Sequence, residues 1–306
     1  MRNGSADSWT RLSVTVPTRN RPEKLERCLA TLGRARECID FRVYVCDSST
    51  VPRTRQEVAD VCNAFDFVEL RPHDGATAAA ARNSCVRAAR SDLVLTVDDD
   101  VYVEPDAVLR LLQAYERGNG RRVVAGSIWL SDNWTTPVVM RSIGYGRAAR
   151  VGEVPSFLLT GLLLYPRAFA IAWPWHEKIS RHEDRFMGAL WRRHSVRLYH
   201  EPRARATHDG PARIEHVDVV ESHVYVNLFD ALIANPNAAQ ALAYQLLGFA
   251  AGAKLHCRRP GTATRYVKAW LQAYRAVFQD RHHLRALCAT RPPPAAAVAT
   301  ADVVWH

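Results

Sequence analysis

Nowhere does this chain hold about 18 consecutive apolar residues, the least that crosses a bilayer as a helix, so no membrane span is expected. Its first ten residues are polar and lack an apolar core, which argues against a signal peptide. Cys-x-x-Cys pairs are missing as well. The 7 cysteines, at 28, 38, 46, 62, 85, 257 and 288, are odd in number, so neither a zinc site nor a disulfide framework is suggested. Cys28, in a helical pattern, and Cys46, in a strand, read as small buried hydrophobes. Lysine is scarce, and nearly all of the positive charge is arginine. With no compact basic block and no nucleic-acid motif, no nucleic-acid partner is expected. Internal repeats are absent. A soluble cytoplasmic protein is the expectation.

What the chain does contain is an ordinary globular balance, 48% hydrophobic and 24% charged over 306 residues, enough for one large α/β domain or two smaller ones. The net charge is +10. Arginine suits bidentate capture of phosphate and carboxylate, although an arginine- and alanine-rich codon usage is the simpler source of the excess. Strands and helices alternate through the first 130 residues. A strand is expected over 12–16, and Pro22 opens a helix with Leu25, Cys28, Leu29 and Leu32 on one face. A strand over 42–46 ends at Asp47-Ser48-Ser49, followed by a helix over 56–65 and a strand over 67–70. An alanine-rich helix over 76–90 leads into a strand at Leu93, then come a helix over 105–117 and a strand over 123–129. This rhythm predicts a mainly parallel, doubly covered sheet with its site at the strand carboxyl ends. Residues 131–154 loosen into loop and irregular strands, suited to a mobile substrate-covering segment. A strand over 156–165, interrupted at Thr160-Gly161, a helix over 179–194 and a strand over 196–199 come next. Beyond Ile214 the pattern is helical, notably over 222–234, 238–256 and 264–278, and a Pro/Ala-rich tail from Pro292 is expected to fray.

The chief chemical signal is Leu93-Val94-Leu95-Thr96-Val97-Asp98-Asp99-Asp100, a buried strand running into three carboxylates. Three unpartnered buried charges are too costly to arise by accident. In a crevice at a strand end they seat a divalent cation, which is commonly held by one or two carboxylates plus substrate phosphate oxygens. The bland alternative is a solvated turn before a helix that starts at Pro105. Val16-Pro17-Thr18-Arg19-Asn20-Arg21 offers backbone N–H groups and cations to a phosphate or a base edge, or else a plain N-cap by Asn20. Asp47 either accepts from a base or ribose donor or caps a turn. Asn83, in Ala81-Arg82-Asn83, is a poor helix-interior residue, so its amide either has another use or lies on the surface. In Ser180-Arg181-His182-Glu183-Asp184, Ser180 and Glu183 form a capping box. That leaves Asp184 as a candidate general base, although first-turn acids are favoured by the helix dipole in any case. A neutral His208 can complete a metal shell. Taken alone, any of the histidines is as readily solvated or hydrogen-bonded in a core.

In this order the groups resemble one family. A strand followed by Pro17-Thr18-Arg19-Asn20-Arg21, an Asp closing strand two, Ala81-Arg82-Asn83, then Val97-Asp98-Asp99-Asp100 is similar to the family 2 glycosyltransferases of the GT-A fold. Thr160-Gly161, His182-Glu183-Asp184 and His208 match its later half, so the resemblance covers about residues 10–210. It implies an α/β, Rossmann-type, mainly parallel sheet flanked by helices. The implied activity is metal-dependent, inverting transfer of a sugar from a nucleotide-diphosphate sugar to a hydroxyl or amine acceptor. Residues 1–130 would form the nucleotide-sugar-binding half, 131–213 the acceptor and catalytic half of the same domain, and 214–306 a helical C-terminal extension. The implied donor contacts are Pro17, Thr18, Arg19, Arg21, Asp47, Arg82, Asn83, Asp98 and Asp99, with Asp47 at the nucleobase. Asp98 and Asp100, through the DXD pattern, and His208 would hold Mg²⁺ or Mn²⁺. Asp184 would be the catalytic base, with Glu183 beside it. Ser48 stands where the family commonly has a second acidic residue.

The implied partners are a UDP-sugar first, with dTDP or GDP as alternatives, and a small-molecule or carrier-bound acceptor in natural-product or glycan biosynthesis. The basic charge would also suit an anionic acceptor. The C-terminal helices are a candidate homo-oligomer surface. A sugar nucleotidyltransferase shares the sheet and a metal aspartate, but normally carries a glycine-rich loop after strand one, where this chain has no glycine. A non-catalytic nucleotide-sugar-binding protein would have no need of the full set Asp98, Asp100, Asp184 and His208.

Overall fold

Strands that are apolar on both sides need helices on both faces, and the first half of the chain supplies them alternately. The computed structural model describes residues 11–73, 75, 77–118, 122–130, 132–141, 144–150, 152–179, 181–210, 219–257 and 261–291. In chain order they form β1 (Leu12–Thr18), α1 (Pro22–Ala35), β2 (Arg42–Asp47), α2 (Pro52–Asn63), β3 (Val68–Pro72), α3 (Ala78–Ala88), β4 (Leu93–Val97) and β5 (Val101–Val103). Next come α4 (Ala107–Glu116), β6 (Arg122–Leu130), β7 (Asn133–Trp134), β8 (Val138–Met140), β9 (Gly146–Ala148), β10 (Leu162–Pro166), α5 (Arg167–Ala172), α6 (Glu183–Arg193) and β11 (Arg197–His208). The C-terminal part is helical: α7 (Val220–Phe229), α8 (Ala238–Ala243), α9 (Phe249–His256) and α10 (Thr262–Ala289), with π-helical turns at Asp230–Ala234 and Tyr244–Gly248.

Nine strands form the central sheet in the order β3-β2-β1-β4-β10-β6-β11-β5, with β7 attached to β6. The first four are parallel, β10 runs against β4 and β6, β11 is parallel to β6, and β5 closes the edge antiparallel to β11. The mixed α/β fold is mostly parallel, as the sequence predicts. Side chains alternate across β4, so the two cores are separate. Leu93, Leu95 and Val97 pack with Leu25, Leu29 and Leu32 of α1 and Val108 and Leu111 of α4. Val94 joins the opposite core, where Tyr165, Trp173, Trp175, Phe186 and Trp191 meet Phe229 of α7 and Trp270 of α10.

Several boundaries differ from the sequence reading. Pro52 takes a first-turn position in α2, which therefore starts ahead of residue 56. Pro105 precedes α4 instead of opening it, and β5 occupies residues just before. Residues 156–161 are outside β10, with Phe157 making only an isolated bridge to Val138. The largest difference is β11, which continues to His208 where a short strand over 196–199 was expected. Its pairing with β5 sets His208 opposite Val101, beside the aspartates.

The helical C-terminal part is fastened to the sheet by polar contacts as well as by the shared core. Trp173 Nε1 donates to the Thr290 carbonyl at 2.9 Å, Lys178 pairs with Asp280 at 2.6 Å, and Arg192 pairs with Asp230 at 2.5 Å. No helix among the described residues is long and apolar enough to cross a membrane.

The sequence of α6 contains one position where only a hydrogen fits. A Cβ on Gly188 would lie 2.5 Å from Phe157 Cβ and 2.6 Å from the Ser156 carbonyl. Because backbone atoms cannot swing aside, Gly188→Ala should destabilise the fold by about 1–3 kcal/mol. Thermal unfolding checks this, and an unchanged midpoint would show that α6 and the 156–157 segment slide apart freely.

Candidate active site

In an open α/β sheet the crevice lies where successive crossovers leave in opposite directions. Here β2 and β3 extend from one side of β1 and β4 lies on the other, so the switch point falls between β1 and β4. Their two carboxyl-end loops carry Thr18 to Arg21 and Asp98 to Asp100. The expected motifs therefore face each other across one crevice.

The three aspartates have different partners. Asp98 Oδ1 accepts from Arg82 Nη2 at 2.7 Å. Asp99 is buried and accepts from Thr18 Oγ1 at 2.8 Å and Arg21 Nη1 at 3.1 Å. Burial pushes its carboxyl up to about 6, against the lowering effect of Thr18 and Arg21. Asp100 Oδ2 takes Arg21 Nη1 at 2.9 Å and lies 3.5 Å from His208 Nε2. The turn below is braced by Asp209, whose N–H donates to the Asp100 carbonyl at 2.8 Å and whose carboxylate takes Arg27 at 2.7 Å and Tyr102 at 2.9 Å.

The β1 and β2 loops are laced together. Asn20 adopts a left-handed backbone with φ of 55°, a conformation asparagine tolerates better than most residues. Its N–H donates to Ser49 Oγ at 2.8 Å, and its Oδ1 accepts from the Thr50 N–H at 3.1 Å. Asn20 is therefore not the N-cap of α1. Arg21 holds that position without a side-chain capping bond, and Pro22 follows in the first turn. Asp47 Oδ1 accepts from the Ser49 N–H at 2.8 Å and from Ser49 Oγ at 2.5 Å. Both readings of Asp47 thus remain compatible, since Oδ2 takes no bond among the described residues. Pro17 lies within β1 opposite Cys46, and Arg19 is exposed at the loop.

Arg82 is the centre of the second half of the site. It sits on α3, which crosses the sheet just before β4, and its side chain is only 4% exposed. Its two Nη groups reach Asp98 at 2.7 Å and Glu183 at 2.8 Å. Burial alone would lower the guanidinium pKa, but Asp98 and Glu183 together hold it above its ordinary value. This explains Glu183 differently from a capping box. Helix α6 begins at Glu183 itself, after His182 in a left-handed conformation with φ of 63°, and Ser180 lies outside the described residues.

Asp184, the next residue, accepts from the Arg185 N–H at 2.7 Å. Burial and the neighbouring Glu183 charge push its carboxyl up to about 7, with Arg185 and Arg82 pulling the other way. Such a value suits proton transfer near neutral pH. Around it, His182 is held neutral by burial and by Arg185 and Arg181, which lower its pKa to about 3. Arg185 is buried and donates to Asn227 Oδ1 at 2.5 Å and to His223 Nδ1 at 2.9 Å, so α7 supports the start of α6.

Asn83, one residue from Arg82, spends its amide within the protein. Its Nδ2 donates to the Trp175 carbonyl and to Glu177 Oε1, both at 2.9 Å, and its Oδ1 accepts from the Trp175 N–H at 2.9 Å. The sequence reading did not single out Trp175, Glu177, Arg185 or Asn227. Arg185 alone carried a signal, as a basic residue on the buried face of an amphipathic helix.

Asp100 and His208 are the pair whose donor atoms suit a divalent cation. His208 Nδ1 is buried without a hydrogen bond among the described residues, while Nε2 faces Asp100. No set of three His, Cys, Asp or Glu side chains gathers as a closed metal shell among those residues. An open half-shell of this kind fits a cation that takes its remaining ligands from water and phosphate.

Removing the cation at the centre of the site should be severe. Arg82→Ala leaves two partly buried carboxylates facing one another, and loss of one partner of a buried pair costs about 3–5 kcal/mol. Urea unfolding measures this directly. A loss under about 1 kcal/mol, as for an exposed pair, would show that solvent rather than Arg82 balances Asp98 and Glu183.

The known proteins to which the chain is similar are glycosyltransferases. Over 117 residues the chain is 33% identical to validoxylamine A glucosyltransferase of Streptomyces hygroscopicus subsp. jinggangensis, covering 38% of this chain and 28% of that protein. It is 24% identical over 150 residues to dolichol-phosphate mannosyltransferase of Pyrococcus furiosus, covering 47% and 41%. The chain thus spans less than half the length of these relatives. Among solved structures, S. aureus TarS 1-349 in complex with UDP-GlcNAc superposes with a TM-score of 0.58 at 17% identity, covering 91% of this chain and 89% of that one. The mannosyltransferase PcManGT of Pyrobaculum calidifontis, in complex with GDP-Man and Mn²⁺, gives 0.55 at 16% identity, covering 92% and 86%. Both show a shared GT-A fold. The model of glycosyl transferase family 2 matches residues 13–168, just over half of the chain, and the chain accordingly belongs to that family.

Proposed function

We propose that this transferase is metal-dependent and inverting, moving a sugar from a nucleotide-diphosphate sugar to a hydroxyl or amine acceptor with Asp184 as general base. The observation that carries the reading is the Arg82 bridge, which ties Asp98 at the end of β4 to Glu183, the residue beside the raised Asp184 carboxyl. Base and donor site are thereby one connected unit. The complexes of TarS with UDP-GlcNAc and of PcManGT with GDP-Man and Mn²⁺ support a nucleotide sugar and a divalent cation. A UDP-sugar is our first reading of the donor.

In this reading residues 1–130 hold the donor, 131–213 complete the acceptor side, and 214–306 form the helical extension. The Thr18–Arg21 loop and Asp47 line the nucleotide pocket, with Asp47 Oδ2 accepting from the base. Asp98 and Asp99 fix the crevice floor towards the ribose. Asp100 and His208 would hold Mg²⁺ or Mn²⁺, which when bound neutralises charge developing on the departing diphosphate. Arg82 and Asn83 act from below: Arg82 positions Asp98 and Glu183, and Asn83 holds the 175–177 segment. Asp184 takes the proton from the acceptor as it attacks the anomeric carbon from the face opposite the leaving group. The acceptor oxygen or nitrogen bonds to that carbon while the bond to the diphosphate breaks, which inverts its configuration.

The pH dependence follows from Asp184. Its ionised form is the base, so kcat/KM should rise about tenfold per pH unit up to about 7 and level off above. Hydrolysis of the nucleotide sugar, with water in place of the acceptor, gives the assay, and NMR of the released sugar reads the anomer. Asp184→Asn should remove the rise and cost about 10²–10⁴-fold in rate. A retained configuration, or a pH profile unchanged in the variant, would refute the assignment.

Stability should move oppositely. A carboxyl whose folded pKa exceeds its unfolded value binds its proton more tightly in the native state, so its contribution falls as pH rises from about 4 to about 7. Asp184→Asn should therefore unfold at a higher temperature than the parent at pH 8, with the difference vanishing near pH 4. An equal or lower midpoint at pH 8 would show that the ionised Asp184 is well solvated.

A further inference from the structure

Large exposed apolar side chains concentrate on the C-terminal helices. Leu246, Leu271 and Phe278 are 64%, 63% and 66% exposed, and Leu242, Leu247 and Val267 are exposed as well. Single exposed apolar residues need no explanation, but a grouping of this kind marks an interaction surface. On α10, Val267, Leu271 and Phe278 are spaced by four and seven residues, which puts them on one stripe. The stretch carrying the three other leucines packs against α10 through aromatic residues, where Tyr244 and Phe249 meet Trp270 at 5.2 and 5.1 Å.

Charge identifies what would cover it. From Ala231 to Gln279 the sequence contains no Asp or Glu, while Lys254, Arg258, Arg259, Arg265, Lys268 and Arg275 fall within it. Lys268 and Arg275 share a surface groove on α10 with Val267 and Leu271. Arg281 stacks over the Phe278 ring at 4.1 Å, its guanidinium at the border of the stripe. The acid that follows, Asp280, is already held by Lys178 at 2.6 Å and Tyr225 at 3.1 Å.

We propose that this face docks on an anionic lipid bilayer, with the leucines and Phe278 below the headgroups and Lys268, Arg275 and Arg281 on lipid phosphates. An apolar stripe flanked by cations is what lies stably in the plane of a membrane interface. Basic side chains near an anionic surface add attraction that falls off with salt. A second copy of the chain is the poorer occupant. A two-fold interface would set this patch against itself, and no carboxylate between 231 and 279 would meet the cations. The proposal concerns where the protein resides and stands apart from the chemistry assigned to Asp184.

Flotation of the full chain with vesicles tests it, using phosphatidylcholine alone and an equimolar mixture with phosphatidylglycerol. The parent should float with the mixed vesicles at about 0.1 M salt, not with phosphatidylcholine alone, and be released at about 1 M. Leu271→Ser/Phe278→Ser and Lys268→Glu/Arg275→Glu should each reduce binding roughly tenfold or more, with thermal unfolding unchanged. The proposal is overturned if the parent does not float, or if both double variants float as well as the parent. It is also overturned if sedimentation finds a dimer that Leu271→Ser/Phe278→Ser dissociates while vesicles go unbound.

Discussion

The buried Arg82 guanidinium, gripped by Asp98 from the end of β4 and by Glu183 from the start of α6, is the constraint on which the rest of the site depends. A cation at this depth is tolerated only when well paired and hydrogen-bonded, since each ion loses several kcal/mol of hydration. Its planar fork holds the two carboxylates in one fixed geometry, which the rotatable point charge of a lysine would not impose. The pairing fixes the distance between the carboxyl end of β4 and the helix turn that carries Asp184. It also explains why α3, the crossover into β4, must pass directly beneath the crevice.

Around this bridge the charges are arranged in opposition. Burial raises Asp99 and Asp184, while Arg21 and Arg82 keep the crevice from accumulating unbalanced negative charge. The second carboxylate on its own helix turn adds to the effect of burial on Asp184. That carboxylate is committed to Arg82, whereas Asp184 takes only the Arg185 N–H among the described residues, so the two neighbours are held differently. Helix α7 reinforces the same turn through Asn227 and His223, which accept from Arg185 of α6. The helical C-terminal part thus shares one aromatic core with the α6 side of the sheet.

The first half of the fold was legible because β2 and β4 are largely apolar runs and α1 and α4 each show a one-sided stripe. The order of motifs carried the family. What escaped was chiefly β11. Its buried positions include Glu201, Ala204 and Ala206, small or charged residues that give no strand signal, and a register shift between Glu201 and Arg205 breaks the alternation. Glu201 is tolerated there because Arg117 and Arg203 reach it at 3.0 and 3.2 Å. The start of α6 was misplaced because Ser180 and Glu183 imitate a capping box, whereas Arg82, 101 residues away, claims the glutamate. Asn83 was rightly marked as out of place in a helix, but its partners at Trp175 and Glu177 are set by tertiary packing alone.

On the function proposed above, the β1–β4 crevice is a nucleotide-sugar donor site completed by a divalent cation on Asp100. Titration calorimetry of UDP, dTDP, GDP and ADP, with and without Mn²⁺, on the parent and on Asp100→Ala measures it directly. The account predicts that one nucleotide, UDP first, binds in a Mn²⁺-dependent manner to the parent and loses that dependence in the variant. Binding of none of the four with Mn²⁺, or equal metal-dependent binding to Asp100→Ala, would contradict it.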